Sequence, residues 1–496
     1  MTNKLNEHLG VKKNPFSKFS AEEELEFHNE IFYEPTFYNT LLDDLQSGTS
    51  RFILGQRGHG KSSIIHKLKR DLEKEQVLTV IIDRFDNIGL NNNKIELLNL
   101  ILRELVTKYV IFLDQNKTYL NKFNKEDKEL LSLFIRLFFR TITKTDYENK
   151  YEIAKKVKSK NLIIRAINLM IKPANSVIDS AIMISSSLIS ESLNLNQEIS
   201  SSSQKEYLSS LETINTNASK SELTLISDKR QLKELLNKFN NLVKKTYYKS
   251  SVILFDKVDE FQDLEQDINK IAHFTQDILT DTELLLQNDI AIAFSLWSEV
   301  KPILSKKVRF DKFKEIDISW KSKDMKPLMD KRVMYFTGNT KYFENLFENP
   351  SDMDQVVVIS NKSPRDLISC MSDIYDYQST NQESEYFESS NVSKGLIKFA
   401  KRYDYLSLYP SRTGKNKDVT SVINKILRIR KIEFNVYDVN QTFNQKTRAT
   451  MNQIEQMLNY KLIETDDRLG NKGEKIYKVL DPKIKHLISR NETQIN

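Results

Sequence analysis

Glycine and proline are scarce: the chain of 496 residues holds 11 glycines and 9 prolines, where average usage would supply about 35 and 25. Collagen-like and linker-dominated architectures are excluded, and each glycine becomes worth locating. Most of the deficit matches the bias of an AT-rich genome, since the chain is also rich in Lys, Asn, Ile and Ser. One cysteine, Cys370, excludes an internal disulfide and a thiolate metal site, so nothing calls for an oxidising compartment. Long apolar runs are missing too. Residues 1–16 lack the apolar core of a secretory signal. The most membrane-like stretch, 162–195, is broken by Arg165, Lys172, Asp179 and Glu191, and its longest uncharged run, Ser180–Ser190, falls well short of the roughly 20 residues that span a bilayer. A cytoplasmic location without a membrane span is expected.

What remains is an ordinary globular composition, 39% hydrophobic and 29% charged. At roughly 100–200 residues per domain, the length predicts two to four domains. The formal charge is +7, and residues 412–496 alone carry 17 basic and 10 acidic residues, so the rest of the chain is balanced. A localised positive field suits contact with phosphate; it also suits a solvated lysine-rich face.

Three of the scarce glycines fall together in Gly55-Gln-Arg-Gly58-His59-Gly60-Lys61-Ser62-Ser63, which matches G-x-x-x-x-G-K-[ST]. An apolar strand, Phe52–Leu54, precedes the motif, and helical spacing at Ile64, Ile65, Leu68 and Leu72 follows it, the context a phosphate-binding loop needs. Glycines let such a loop turn its N–H groups inward, and the helix N-terminus adds partial positive charge. ATP with Mg²⁺ is the expected ligand: residues 55 and 58–63 (Gly55, Gly58, His59, Gly60, Lys61, Ser62, Ser63) form the binding loop, Lys61 reaches the β- and γ-phosphates, and the Ser62 hydroxyl ligates the metal. The matching acid follows Val252-Ile-Leu-Phe, a run apolar enough for a doubly buried parallel strand. Asp256, at that strand's carboxyl end, is the candidate metal partner, acting through water. A third strand is expected at Leu78–Asp83.

With these motifs in order, the chain resembles the AAA+/STAND group of P-loop ATPases, in the bacterial branch similar to origin-recognition initiators and to ATPases of antiphage defence. The resemblance covers Asn14 to about Asp376 apart from an insertion. Asn14-Pro-Phe16 and Ala21-Glu22 stand where the family's lead segment borders the adenine. Ile290–Ser295 resembles the sensor-1 strand, which implies that Ser295, or else Ser298, contacts the γ-phosphate or the attacking water. Val308-Arg309-Phe310 precedes the strand Ile316–Trp320 where the family carries an arginine finger acting in trans; Arg309 is alternatively one charge of a basic run. Leu328–Arg332 fits the first helix of the lid. Ser363-Pro-Arg365 resembles sensor 2, with Arg365 reaching back to the nucleotide or pairing within the lid. The family's water-orienting glutamate is replaced by Lys257, so either Asp259 or Glu260 substitutes for it or hydrolysis is slow.

Beyond the lid, helices at 418–432, 436–442 and 447–460, a polar hairpin at 466–474 carrying Gly470 and Gly473, and a strand at 475–480 resemble a winged helix with a two-stranded tip. Arg448, Asn452, Arg468 and Lys472 are the candidate DNA contacts; such modules also serve as protein contacts.

The expected fold is α/β, a P-loop NTPase of AAA+ type with a parallel sheet core. The layout is a lead segment (1–45), the core in two parts (46–113 and 249–322), a mainly helical insertion (114–248), a helical lid (323–411) and a winged helix (412–496). Within the insertion, amphipathic spacing at 130–138, a Ser200–Ser203 tract, a polar link near 197–225 and a final helix at 232–243 stand out. The expected function is an ATP-binding and hydrolysing switch, oligomeric when active, with a protein effector or sensor as partner in antiphage defence. The alternatives are a DNA-binding initiator or loader and a nucleotide-stabilised scaffold without hydrolysis.

Overall fold

Five short runs of β-branched and aromatic residues form strands β1 (Arg51–Gly55), β2 (Val77–Ile82), β3 (Ser250–Phe255), β4 (Ile290–Trp297) and β5 (Glu315–Ile318). In the computed structural model, which describes residues 4–86, 88–138, 229–381, 383–409, 419–469 and 473–495, these strands make one sheet in the order β2-β3-β4-β1-β5. Every pairing is parallel. β3 and β4 are buried along their whole length, as parallel strands covered on both faces must be. Alternation assigns Ile53, Leu254 and Ala293 to one face and Phe52, Ile253 and Phe294 to the other. The α/β P-loop fold expected from the sequence is therefore present, with β4 lying between the P-loop strand and the acid strand.

On the first face pack α1 (Tyr38–Gln46) and α2 (Lys61–Lys74). The second is covered by α3 (Lys94–Gln115), α4 (Lys125–Phe138), α5 (Lys229–Lys244) and α6 (Ile268–Leu279). α3 runs through residue 114, where the insertion was expected to begin. Phe239 of α5 meets both Tyr109 of α3 and Phe134 of α4 edge-on, with ring centroids 5.6 and 5.1 Å apart. Both ends of the 114–248 segment thus belong to the layer over the sheet. The apolar stretch at 162–195, the serine tract and the polar link lie outside the described residues.

The segment expected as the lid follows as α7 (Ser322–Thr337), α8 (Pro350–Ile359), α9 (Pro364–Gln378) and α10 (Ser389–Arg402). The Ser363 hydroxyl accepts the Asp366 N–H and Pro364 takes the first helical position, so α9 begins with both a cap and a preset φ. α9 and α10 cross closely at Gly395, where a Cβ would stand 2.5 Å from Cγ1 of Ile374.

The C-terminal module comprises α11 (Val419–Ile429), β6 (Glu433–Phe434), α12 (Val436–Phe443), α13 (Thr447–Asn459), β7 (Ile463–Leu469), β8 (Lys475–Val479) and α14 (Pro482–Ser489). The expected three helices are there. The tip, however, has three strands in the order β6-β8-β7, and α14 was not foreseen. β7 continues through Asp466–Arg468, residues expected in the turn. A register shift between Thr465 and Leu469 takes up the extra residues as a bulge, which polar composition alone does not reveal.

Lid and module share a hydrophobic core and a buried charge cluster. Lys483 of α14 is fully buried, with Nζ 3.7 Å from Asp366 and 3.5 Å from Asp481 and 4.1 Å from the centre of the Tyr403 ring. The Tyr403 hydroxyl donates to Asp366 at 2.9 Å and the Tyr409 hydroxyl to Asp481 at 2.7 Å. Burial pushes the Asp366 carboxyl up, against the pull of Lys483.

Candidate functional site

The P-loop connects β1 to α2, and its glycines serve two purposes. Gly58 and Gly60 have φ of +79° and +85°, a region that costs other L-residues about 1–2 kcal/mol. Gly55 instead makes room: a Cβ there would stand 3.2 Å from Cγ of Lys61 and 3.3 Å from Cβ of Ile318. Lys61 is buried, and its ammonium donates to the carbonyls of Gly55 (3.0 Å) and Gln56 (3.3 Å). Burial pulls its pKa down, with Asp259 and Asp256 opposing. Ser62 hydrogen-bonds to Asp256, whose carboxyl burial raises while Ser62 and Lys61 lower it. A hydroxyl and a carboxylate side by side are hard oxygen donors that fit Mg²⁺, an ion bound through few protein ligands plus phosphate. Among the described residues, no group of three or more His, Cys, Asp or Glu could hold a metal by itself.

These residues line a cleft that is open to solvent at its mouth. Four chain segments build it, together with Trp320 just after β5. The lead segment gives an apolar wall with Phe19, Ala21 and Phe32; the P-loop gives Arg57, Gly58, Gly60, Lys61, Ser62 and Ser63; the loop after β3 gives Asp256, Lys257, Asp259 and Glu260; the lid gives Leu328, Arg332 and Arg365. The lead segment is fastened on both sides: His28 Nε2 lies 2.8 Å from the Ser63 hydroxyl, and buried Arg332 pairs with Glu24 and donates to the Pro15 carbonyl at 2.7 Å. Burial, with Arg70 adding to it, brings the His28 pKa down to about 4.

The position after Asp256 is unusual. Lys257 has φ +57°, a strained conformation for a side-chain-bearing residue, and its ammonium lies 2.8 Å from Glu22. Hydrogen bonding to His66, and then the neighbouring Lys257, hold the Glu22 carboxyl well below the usual carboxylate range. Asp259 is paired with Arg57 at 3.1 Å, whereas Glu260 is exposed at the cleft's edge. The roles of Glu22, His28 and Arg57 were not foreseen. Ion pairs between segments distant in sequence leave no local pattern to find.

Other expected site residues stand apart. His59 Nδ1 donates to the Ile318 carbonyl at 3.1 Å, and its own carbonyl accepts from Trp320 at 2.9 Å, so this residue fixes the P-loop to the end of β5. Ser295 does not end β4: the strand continues to Trp297 because Leu296 and Trp297 still pair with Leu54 and Gly55. It is buried beside Asp256 in register, since Phe255 pairs with Phe294, and its hydroxyl has no partner among the described residues. Ser298 opens the helical turn after β4. Arg309 lies exposed between β4 and β5, bound through Nε and Nη2 to Asp311 at 2.9 and 2.8 Å. Neither Ser295, Ser298 nor Arg309 lines the cleft.

On the C-terminal module, Arg448 and Asn452 are exposed on α13 together with Met451 and Glu455. Arg468 is committed to Asp466 at 2.6 Å and Glu433 at 2.9 Å, so its charge is neutralised locally. Lys472 and Gly470 lie outside the described residues. Among those described, no helix is long and apolar enough to cross a membrane.

No family model and no curated protein matches the chain. Solved structures similar to it include the Aeropyrum pernix ORC2 protein in ADPNP–ADP complexes, at 9% identity and a TM-score of 0.38 over 97% of each chain. The Aeropyrum pernix ORC1 protein in complex with DNA shows 9% identity and a TM-score of 0.35, over 93% of this chain and 96% of that one. Drosophila ORC bound to DNA shows 11% and 0.31, over 98% and 90%.

Proposed function

We propose that the protein is an ATP-binding switch of AAA+/STAND type that hydrolyses ATP slowly and works as an oligomer. The observation that carries this reading is the convergence of Lys61 and Ser62 from α2, Asp256 from the end of β3 and Arg365 from the lid on one cleft. Lys61 and the loop N–H groups bind the β- and γ-phosphates. Ser62 and Asp256 hold Mg²⁺, which supplies neutralising charge to the phosphates. Arg365 reaches the nucleotide from the lid, and exposed Arg309 serves a neighbouring subunit as a finger. Lys257 in the water-orienting place leaves that task to Asp259 or Glu260 and supports slow turnover, which suits a switch better than a motor. Calorimetric titration with Mg²⁺–ATP tests the reading: micromolar binding that Lys61→Ala abolishes is expected, and binding indifferent to Lys61 would refute it. Steady-state phosphate release separates the switch from a non-hydrolysing scaffold. For the finger, Arg309→Ala and Lys61→Ala subunits should regain turnover when mixed.

The biological setting we propose rests on the resemblance of the ordered motifs: antiphage defence, with a protein effector or sensor as partner. Equal plaque counts on cells carrying the wild-type chain or Lys61→Ala would refute it. A second reading, a DNA-bound initiator or loader, is favoured by the exposure of Arg448 and Asn452 on α13 beside a paired β7–β8 wing. Duplex affinity should then fall steeply with salt and vanish without residues 412–496.

A further inference from the structure

Arg57 is the one cation that the P-loop carries besides Lys61, and it is held on three sides. Its Nε donates to the Asp259 carboxylate at 3.1 Å, Nη2 to the Asp259 carbonyl at 2.8 Å and Nη1 to Gln266 at 2.8 Å. The guanidinium lies 4.7 Å from the centre of the Trp297 ring, a cation–π distance. Trp297 is itself fixed by its Nε1–H bond to Gln56 at 2.9 Å. Among the described residues, three of the five guanidinium N–H groups are thus engaged and two remain.

This anchorage ties Arg57 to the loop after β3, which carries Asp256, and to Trp297 at the end of β4, and the residue lines the cleft together with Lys61 and Ser62. A phosphate chain held by Lys61 and Ser62 would have Arg57 and Asp256 among its neighbours in the cleft. A mere brace for the loop is a poor account of the residue. A brace would need only the contacts to Asp259 and Gln266, whereas the residue also lines the cleft with N–H groups to spare.

We propose that Arg57 is a specificity-determining residue for the triphosphate: its two free N–H groups bind the terminal phosphate, so that the site tells a nucleoside triphosphate from a diphosphate. Asp259 and Trp297 act as the mount that aims it. This inference rests on the ATP reading above and adds to it the group that distinguishes the two nucleotide states.

The test is calorimetric titration of the full-length chain, in Mg²⁺, with a non-hydrolysable ATP analogue and with ADP. Four proteins are compared: wild type, Arg57→Gln, Arg57→Lys and Lys61→Ala. Arg57→Gln should weaken the triphosphate analogue at least tenfold and ADP less than twofold, with Arg57→Lys between it and wild type on the triphosphate alone. Equal weakening of both nucleotides would show a brace and overturn the proposal, as would no weakening of either. Should Arg57→Gln melt early, Arg57→Lys, which keeps the charge, decides by the same ratio. If wild type binds neither nucleotide, the ATP reading itself falls; if wild type binds both and only Lys61→Ala loses them, that reading stands and Arg57 has no part in it.

Discussion

The backbone N–H of Arg365 donates to the carbonyl oxygen of Gly58 at 3.2 Å, so the first turn of the lid helix is bonded to the phosphate-binding loop itself. Ser363 stands just as near: a Cβ on Gly58 would lie 2.5 Å from its hydroxyl. Lid and loop meet through backbone and a capping side chain, which leaves little room for adjustment.

Gly58→Ala therefore meets two obstacles, a left-handed φ worth about 1–2 kcal/mol and a collision with the cap of α9. Nucleotide affinity should fall at least tenfold while the melting temperature drops by only a few degrees. Calorimetry and thermal unfolding, run on the same preparation, check both.

Lys257→Glu would set a carboxylate against Glu22, and we expect a loss of about 1 kcal/mol, kept small by partial exposure of both side chains. Combining it with Glu22→Lys reverses the pair and should recover most of the loss. In urea unfolding, a double variant no more stable than the single one would show that the pair is not coupled. Phosphate release should rise in the double variant, which restores an acid after Asp256.

His28 gives stability a pH dependence of known sign. Its pKa falls to about 4 in the fold, against an ordinary value near 6.5, so between these values the unfolded chain binds more protons. The contribution is present in full above about pH 6.5 and is lost as pH falls toward 4, by up to about 1.4 kcal/mol per unit. Urea midpoints from pH 7 to 5 should decline less steeply in His28→Gln than in wild type. His486 is also lowered to about 4 and remains in both proteins, so the difference isolates His28.

Lys483→Met would leave Asp366 and Asp481 facing each other without their shared cation. Removing one partner of a buried charged set costs about 3–5 kcal/mol. Adding Asp366→Asn should restore part of it. Chemical unfolding would report the loss, and a change within about 0.5 kcal/mol would show that water reaches the cluster.

Much of the core was legible because its signals are local. The P-loop is contiguous, and the acid strand and the strand after it are apolar runs bounded by polar residues. The end of β4 was misplaced at Ser295 because a polar residue reads as a terminus, while hydrogen bonding to β1 carries the strand on to Trp297. Strand β7 was read short for the same reason: Asp466, Asp467 and Arg468 look like a turn, and only pairing with β8 and a bulge make them strand. The contacts that shape the cleft, Lys257 with Glu22, Arg57 with Asp259 and His28 with Ser63, join segments that no periodicity relates.

Asp366, which receives Lys483, is the immediate neighbour of Arg365. Because a buried, charged bolt of this kind tolerates little displacement, the C-terminal module and the lid are geared together, and a force on α14 arrives one residue from the arginine that faces the cleft.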